Sequence, residues 1–293
     1  MAERDGLVWD DRPMLRRPVL VAGFEGWNDA GDAASDAATW LSQRYGGARF
    51  AWIDPEEHFD FQTRRPEVEM ADGITRTIKW PANECFAARI ESADRDLVVL
   101  RGVEPSYRWK SFCGAVLTVA AETGCEMVVT LGALLADVPH TRPTTITGAA
   151  TDSELIERLG LTRSRYEGPT GIVGVLHDTC RERGVASASL WAPVPHYVAA
   201  PPNPVATRAL LERFGQLVGV PLELEELGEL AAAWRDRVDE VVAGDEEVSA
   251  YVRKLEEQAE EAELQVVDES QIPSGDALAA ELERFLRDQP DDS

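Results

Sequence analysis

The sequence predicts an α/β fold, a mainly parallel sheet sandwiched by helices, with a helical hairpin at its C-terminal end. Three observations predict it. Fully apolar runs of strand length recur through the first 220 residues, segments with helical apolar spacing lie between several of them, and beyond Pro221 the chain becomes long, acidic and helical in period. Strands that are apolar on both faces belong to sheets covered on both sides, and alternation with helices is how such sheets are connected. Residues 1–221 therefore read as an α/β core domain, and residues 222–293 as an acidic hairpin plus a last helix.

The strand-like runs are Val19–Phe24, Ala48–Ile53, Ile74–Trp80, Leu97–Val103, Met127–Leu135 and Ala186–Ala192. Helical spacing covers Asp29–Gln43, Arg108–Thr123, Thr151–Leu159, Gly171–Arg183 and Pro204–Leu217. Thr151 and Glu154 are placed to exchange backbone bonds as a capping box. In the hairpin, Leu224, Leu227, Ala231, Trp234, Val238 and Val241 form one apolar stripe. Val248, Val252, Leu255, Ala259 and Ala262 form a second, after a break at Ala243-Gly244-Asp245. A last helix is expected from Ser274 or Asp276, carrying Leu278, Leu282, Phe285 and Leu286.

The net charge of −24 is uneven. Residues 222–293 hold 23 acidic and 6 basic side chains, and the preceding 221 hold 30 and 23. Such a surface repels phosphate backbones, so no nucleic acid is expected as a partner. The charged start Met1-Ala2-Glu3-Arg4-Asp5 and the lack of a long apolar run predict a cytoplasmic protein with no membrane span. Cys85, Cys113, Cys125 and Cys180 show no paired spacing and read as reduced structural thiols; no metal and no cofactor are expected. Arginine outnumbers lysine heavily, since only Lys79, Lys110 and Lys254 are lysines among 29 basic residues.

Four stretches have the residue types and placement for a site. Gly23–Gly31 joins a strand to a helix, but it has neither the glycine spacing of a dinucleotide fold nor a P-loop lysine. It is a structural turn or a ligand loop, with Glu25, Asn28 and Asp29 as candidates and Asn28 or Asp29 as the helix cap. Asp137–Gly148 follows a strand at its carboxyl end. There Arg142 either grips an anion by its fork or pairs with a local acid, and His140 stands beside it. Tyr166–Ile172, with Glu167, turns into a helix whose open amides suit an anion. Trp191–Val198 ends a strand with His196 and Tyr197, as a pocket wall or a packing corner. No nucleophile elbow or zinc helix is present, and the histidines are too far apart in sequence to be ligands by spacing.

The strings GFEGWNDAGDAA, LGALLADVPHTRP, YEGPTGI and WAPVPHYV, in this order, resemble the bacterial branch of the proteasome-assembly-chaperone-two family, and its actinobacterial members in particular. The resemblance covers roughly residues 15–265. It implies a phosphorylase/hydrolase-like fold and a chaperone that works by protein–protein binding. Eukaryotic relatives assist assembly of the proteasome α-ring, so proteasome subunits become the expected partners. Self-association, as a trimer, is expected from the hairpin's apolar stripe and the phosphorylase-like fold. Docking tails in the family end in a hydrophobic residue, a tyrosine and one more residue. This sequence ends Asp291-Asp292-Ser293, so that device is not expected. The alternative is a small-molecule site, for a nucleoside, nucleotide or carboxylate, in a phosphorylase-like pocket. In that case Glu25, Asn28, Asp29, His140, Arg142 and His196 would converge at one end of the sheet.

Overall fold

A computed structural model describes residues 6–71, 73, 75–151 and 168–269. The predicted Thr151–Leu159 helix, the last helix and Glu167 lie outside the described residues. Among those described, eight strands form one sheet in the order β1-β3-β6-β7-β2-β8-β10-β9. They are β1 (Leu7–Trp9), β2 (Val19–Glu25), β3 (Gly46–Ile53), β6 (Asn83–Ala88), β7 (Leu97–Val103), β8 (Met127–Ala136), β9 (Thr147–Ala150) and β10 (Ser187–Pro195). The central strands β7, β2, β8 and β10 are parallel, and the flanks are antiparallel. β4 (Glu67–Ala71) and β5 (Thr75–Lys79) stand apart as a two-stranded ribbon, so the predicted Ile74–Trp80 strand belongs to this ribbon and not to the main sheet.

The apolar runs are continuous because both faces of the centre are covered. Val19, Val21, Leu97 and Val99 point to one face, where α1 (Ala33–Tyr45) and α4 (Pro204–Val218) pack. Leu20, Ala22, Val98 and Leu100 point to the other, against α2 (Trp109–Glu122) and α3 (Ile172–Glu182). On the first face α1 lies close enough that a Cβ at Gly23 would sit 2.3 Å from the Ala34 carbonyl oxygen. The glycine of the opening turn therefore serves close helix–strand packing.

α5 (Glu225–Ala243) and α6 (Glu246–Glu269) form the hairpin, broken at Gly244 as predicted. Leu227 joins the α4 side of the core, while Val238, Val242 and Val252 make a small core of their own with Tyr197, Val198 and Trp234. The stripe ends on Val242 and not on the predicted Val241, which is exposed. Four residues beyond Val238, Val242 keeps the buried face in register. All four cysteines are free. Three are buried and Cys125 is partly so.

Candidate functional site

The carboxyl ends of β7, β2, β8 and β10 meet at one end of the sheet, where parallel α/β folds place their sites. Two polar clusters form there, and in each the described carboxylates and ring nitrogens are bonded to other parts of the chain.

The first is centred on Glu104, immediately after β7. One carboxylate oxygen accepts from Asn28 Nδ2 at 3.0 Å and from the backbone N–H of Ile172 at 2.8 Å, the first residue of α3. The other is 3.4 Å from the N–H of Trp27. An internal carboxylate thus occupies the positive end of the α3 dipole, the position the sequence offers to an external anion. A Cβ at Gly171 would fall 2.1 Å from Asn28 Nδ2 and 2.6 Å from the Glu104 oxygen, so glycine is what lets the helix end approach. The backbone carbonyl of Asn28 accepts from the Ala133 N–H at 2.8 Å. This pins the loop after β2 to β8.

Asp29, beside Asn28, has a different task. Its carboxylate accepts from the N–H groups of Ala34 at 2.7 Å and Ser35 at 3.1 Å and from the Ser35 hydroxyl. It caps α1, and the helix begins at Ala33 after a single 3-10 turn, Ala30–Asp32. Burial pushes the Asp29 carboxyl up to about 6, against the pull of the Ser35 and Ala34 hydrogen bonds. Glu25, at the end of β2, faces elsewhere and pairs with Arg64.

The second cluster joins the loop after β8 to the hairpin. His140 is buried; its backbone N–H donates to the Tyr197 hydroxyl at 2.8 Å. That hydroxyl stands 2.7 Å from His140 Nδ1, and Nε2 stands 2.9 Å from an Asp239 carboxylate oxygen on α5. One proton arrangement satisfies all three contacts. Tyr197 donates to Nδ1, and Nε2–H donates to Asp239. Burial raises the Tyr197 hydroxyl above its ordinary value, keeping that donor proton in place. Thr141 donates to Glu256 at 2.5 Å and Arg142 pairs with Glu260, both partners on α6. His196 Nδ1 is 3.1 Å from Asp137, which also accepts from the Tyr251 hydroxyl at 3.3 Å. The loop 137–142 and the 3-10 turn His196–Val198 are thereby clamped to both hairpin helices.

Between this clamp and the start of α4 lies an open cavity of about 380 Å³, walled by Pro139, His140, Arg142, Asn203, Trp234 and Ala259. Among the described residues, no group of three His, Cys, Asp or Glu side chains is placed to hold a metal ion, and no helix is long and apolar enough to cross a membrane.

The structure therefore brings His140 and Tyr197 together, sets His196 beside them in an edge-on aromatic cluster with Tyr251, and gives Glu25, Asn28, Asp29 and Arg142 separate partners. Sequence reasoning missed Glu104 and Asp239. Glu104-Pro105 directly follows an apolar strand and could have been flagged as a carboxyl-end residue. Asp239 is one acid among many on a helix and carries no local signal.

The PAC2 family profile matches residues 23–242. A PAC2 family protein from Streptomyces avermitilis is 50% identical, covering 80% of this chain and 99% of its own, with a TM-score of 0.75. The Mycobacterium tuberculosis proteasome-assembly chaperone homologue Rv2125 is 45% identical over 80% of this chain and 99% of its own, with a TM-score of 0.74. The Mycobacterium tuberculosis protein of unknown function Rv2714 is 28% identical over 92% and 94%, with a TM-score of 0.83. No curated protein matches the chain. With the family profile spanning most of its length and relatives at this identity, the chain belongs to the PAC2 family.

Proposed function

We propose that this protein is a proteasome-assembly chaperone of the PAC2 kind, acting in the cytoplasm through protein–protein binding, with proteasome subunits as partners and self-association as a trimer. The observation that carries the reading is the 45% identity, across 80% of the chain, to the Mycobacterium tuberculosis proteasome-assembly chaperone homologue. The site geometry supports it, because the polar side chains at the carboxyl end of the sheet hold loops and helices to one another. The test mixes the purified full chain with cognate 20S proteasome α-subunits, free and as assembled rings, and reads the products by native mass spectrometry. A complex with free α-subunits or a partial ring is the expected result. Absence of any complex with either form overturns the reading.

The cavity beside Arg142 supports a second reading, binding of a small anionic ligand. A thermal-shift screen of nucleosides, nucleotides and small carboxylates should then give a hit that Arg142→Ala abolishes, and a screen without one removes this reading.

A further inference from the structure

The β4–β5 ribbon leaves an apolar face uncovered. Its register pairs Val68 with Ile78 and Met70 with Arg76, so Val68, Met70 and Ile78 share one face with Arg76 among them, while Trp80 beyond the strand packs edge-on against Phe61. Val68, Met70 and Ile78 are 63%, 53% and 58% exposed. The opposite face supplies Glu67 and Lys79 to a polar cavity of about 360 Å³ that also includes Glu25, Arg64 and Arg101 of the body. Glu69, Thr77 and Lys79 of that face are exposed as well, so the ribbon stands out from the body and carries its apolar strip in solvent. A two-stranded ribbon is marginal in water without something on its apolar face.

We propose that this face docks on a second copy of the chain, against the outer surface of α5 around Leu230 and Val241, in a head-to-tail contact. The inference rests on the self-association proposed above and names its surfaces. Leu230 and Val241 are 59% and 65% exposed and stand eleven residues apart, close to three full turns, so they share one side of the helix. Glu226, Glu229 and Glu240 flank them and Arg237 lies between them, so acids outnumber the cation three to one there. Residues 64–80 carry Arg64, Arg65, Arg76 and Lys79 against three acids, a locally positive patch on a chain of net charge −24. Arg64 and Lys79 are paired with Glu25 and Glu69, whereas among the described residues Arg65, just before the ribbon, Arg76 on its apolar face, and Glu226, Glu229 and Glu240 on α5 form no ion pair. The molecule thus carries both halves of a complementary surface, an apolar strip edged by cations and an apolar pair edged by acids. Ribbon-on-ribbon packing would instead set Arg76 against its own copy. A head-to-tail contact closes into a ring when its rotation allows.

Light scattering at micromolar concentration tests this with two variants, Val68→Glu/Ile78→Glu on the ribbon and Leu230→Arg/Val241→Arg on α5. All four positions are exposed, and circular dichroism checks that the fold is kept. The wild type is expected to run as an oligomer and each variant alone at the monomer mass of 32.2 kDa. An equimolar mixture should regain a species of twice that mass, because one intact ribbon meets one intact α5. A monomeric wild type overturns the self-association itself. An oligomeric wild type with both variants unchanged overturns only the surfaces named here. Dissociation of the ribbon variant with no recovery on mixing overturns the head-to-tail geometry. A ribbon variant that stays oligomeric and loses only α-subunit binding assigns the face to the other partner and overturns the proposal.

Discussion

Asp29 shows how one side chain can look like a site and be a structural device. Its carboxylate ties the first turn of α1, so Asp29→Ala should cost about 1–2 kcal/mol, read from the urea midpoint. Its pH behaviour has a definite sign. Folding raises this carboxyl to about 6, above the ordinary 3.8, so between these values the folded chain binds more proton than the unfolded one. Stability from this group is therefore gained as pH falls through about 6 and is absent at neutral pH. Relative to Asp29→Asn, the wild type should gain about 1 kcal/mol on moving from pH 7 to pH 5, measured by paired urea titrations. An equal pH response in both proteins would show that Asp29 titrates normally. At this scale the sequence was partly legible. The helix cap Asp29, one of two options, followed from residue type and neighbours, whereas the acid that pairs with Arg142 is not a local one. The actual partners of His140 and Arg142, Asp239 and Glu260, lie 99 and 118 residues away, and no local pattern encodes such a pairing.

The elements divide by how they are buried. The central strands and the helices over them were legible because two-sided burial writes uninterrupted apolar runs and helical stripes into the chain. β1, β6 and β9 were missed because they flank the centre and are short or polar, as Asn83-Glu84-Cys85 in β6 illustrates. β4 was missed although Glu67-Val68-Glu69-Met70 alternates strictly; the alternation is real, but it points its apolar side outward. Two predictions belong here. Gly23→Ala would drive a Cβ into the α1 backbone and should destabilise by about 3 kcal/mol, seen as a lowered thermal midpoint. His140→Ala removes the buried link between the loop after β8 and α5. Amide exchange in α5 should then rise tenfold or more while β2 and β7 stay protected, since losing a buried hydrogen-bonded group costs about 1–3 kcal/mol. Unchanged α5 exchange would mean that the small Val238–Val252 core alone holds the hairpin down.

As a whole, the molecule pairs a nearly balanced α/β body with an acidic hairpin, and the two share a core through Leu227 and a polar clamp through loop 137–142. We propose residues 221/222 as a boundary of composition within one cooperative unit. A single unfolding transition, coincident by near- and far-ultraviolet circular dichroism, is the expected outcome; two separated transitions would make the hairpin an independent module. The cysteines carry a last consequence. Burial pushes the thiols of Cys113, Cys125 and Cys180 up to about 11 and that of Cys85 higher still, so almost no thiolate exists at neutral pH. Ellman's reagent should find fewer than one reactive thiol in the native protein within minutes and four after denaturation. By the same argument the native protein should react slowly with maleimides. A cysteine placed at exposed Thr77 would be its one labelling handle, and a fluorophore pair there would report how ribbons are spaced between neighbouring copies without altering any native thiol.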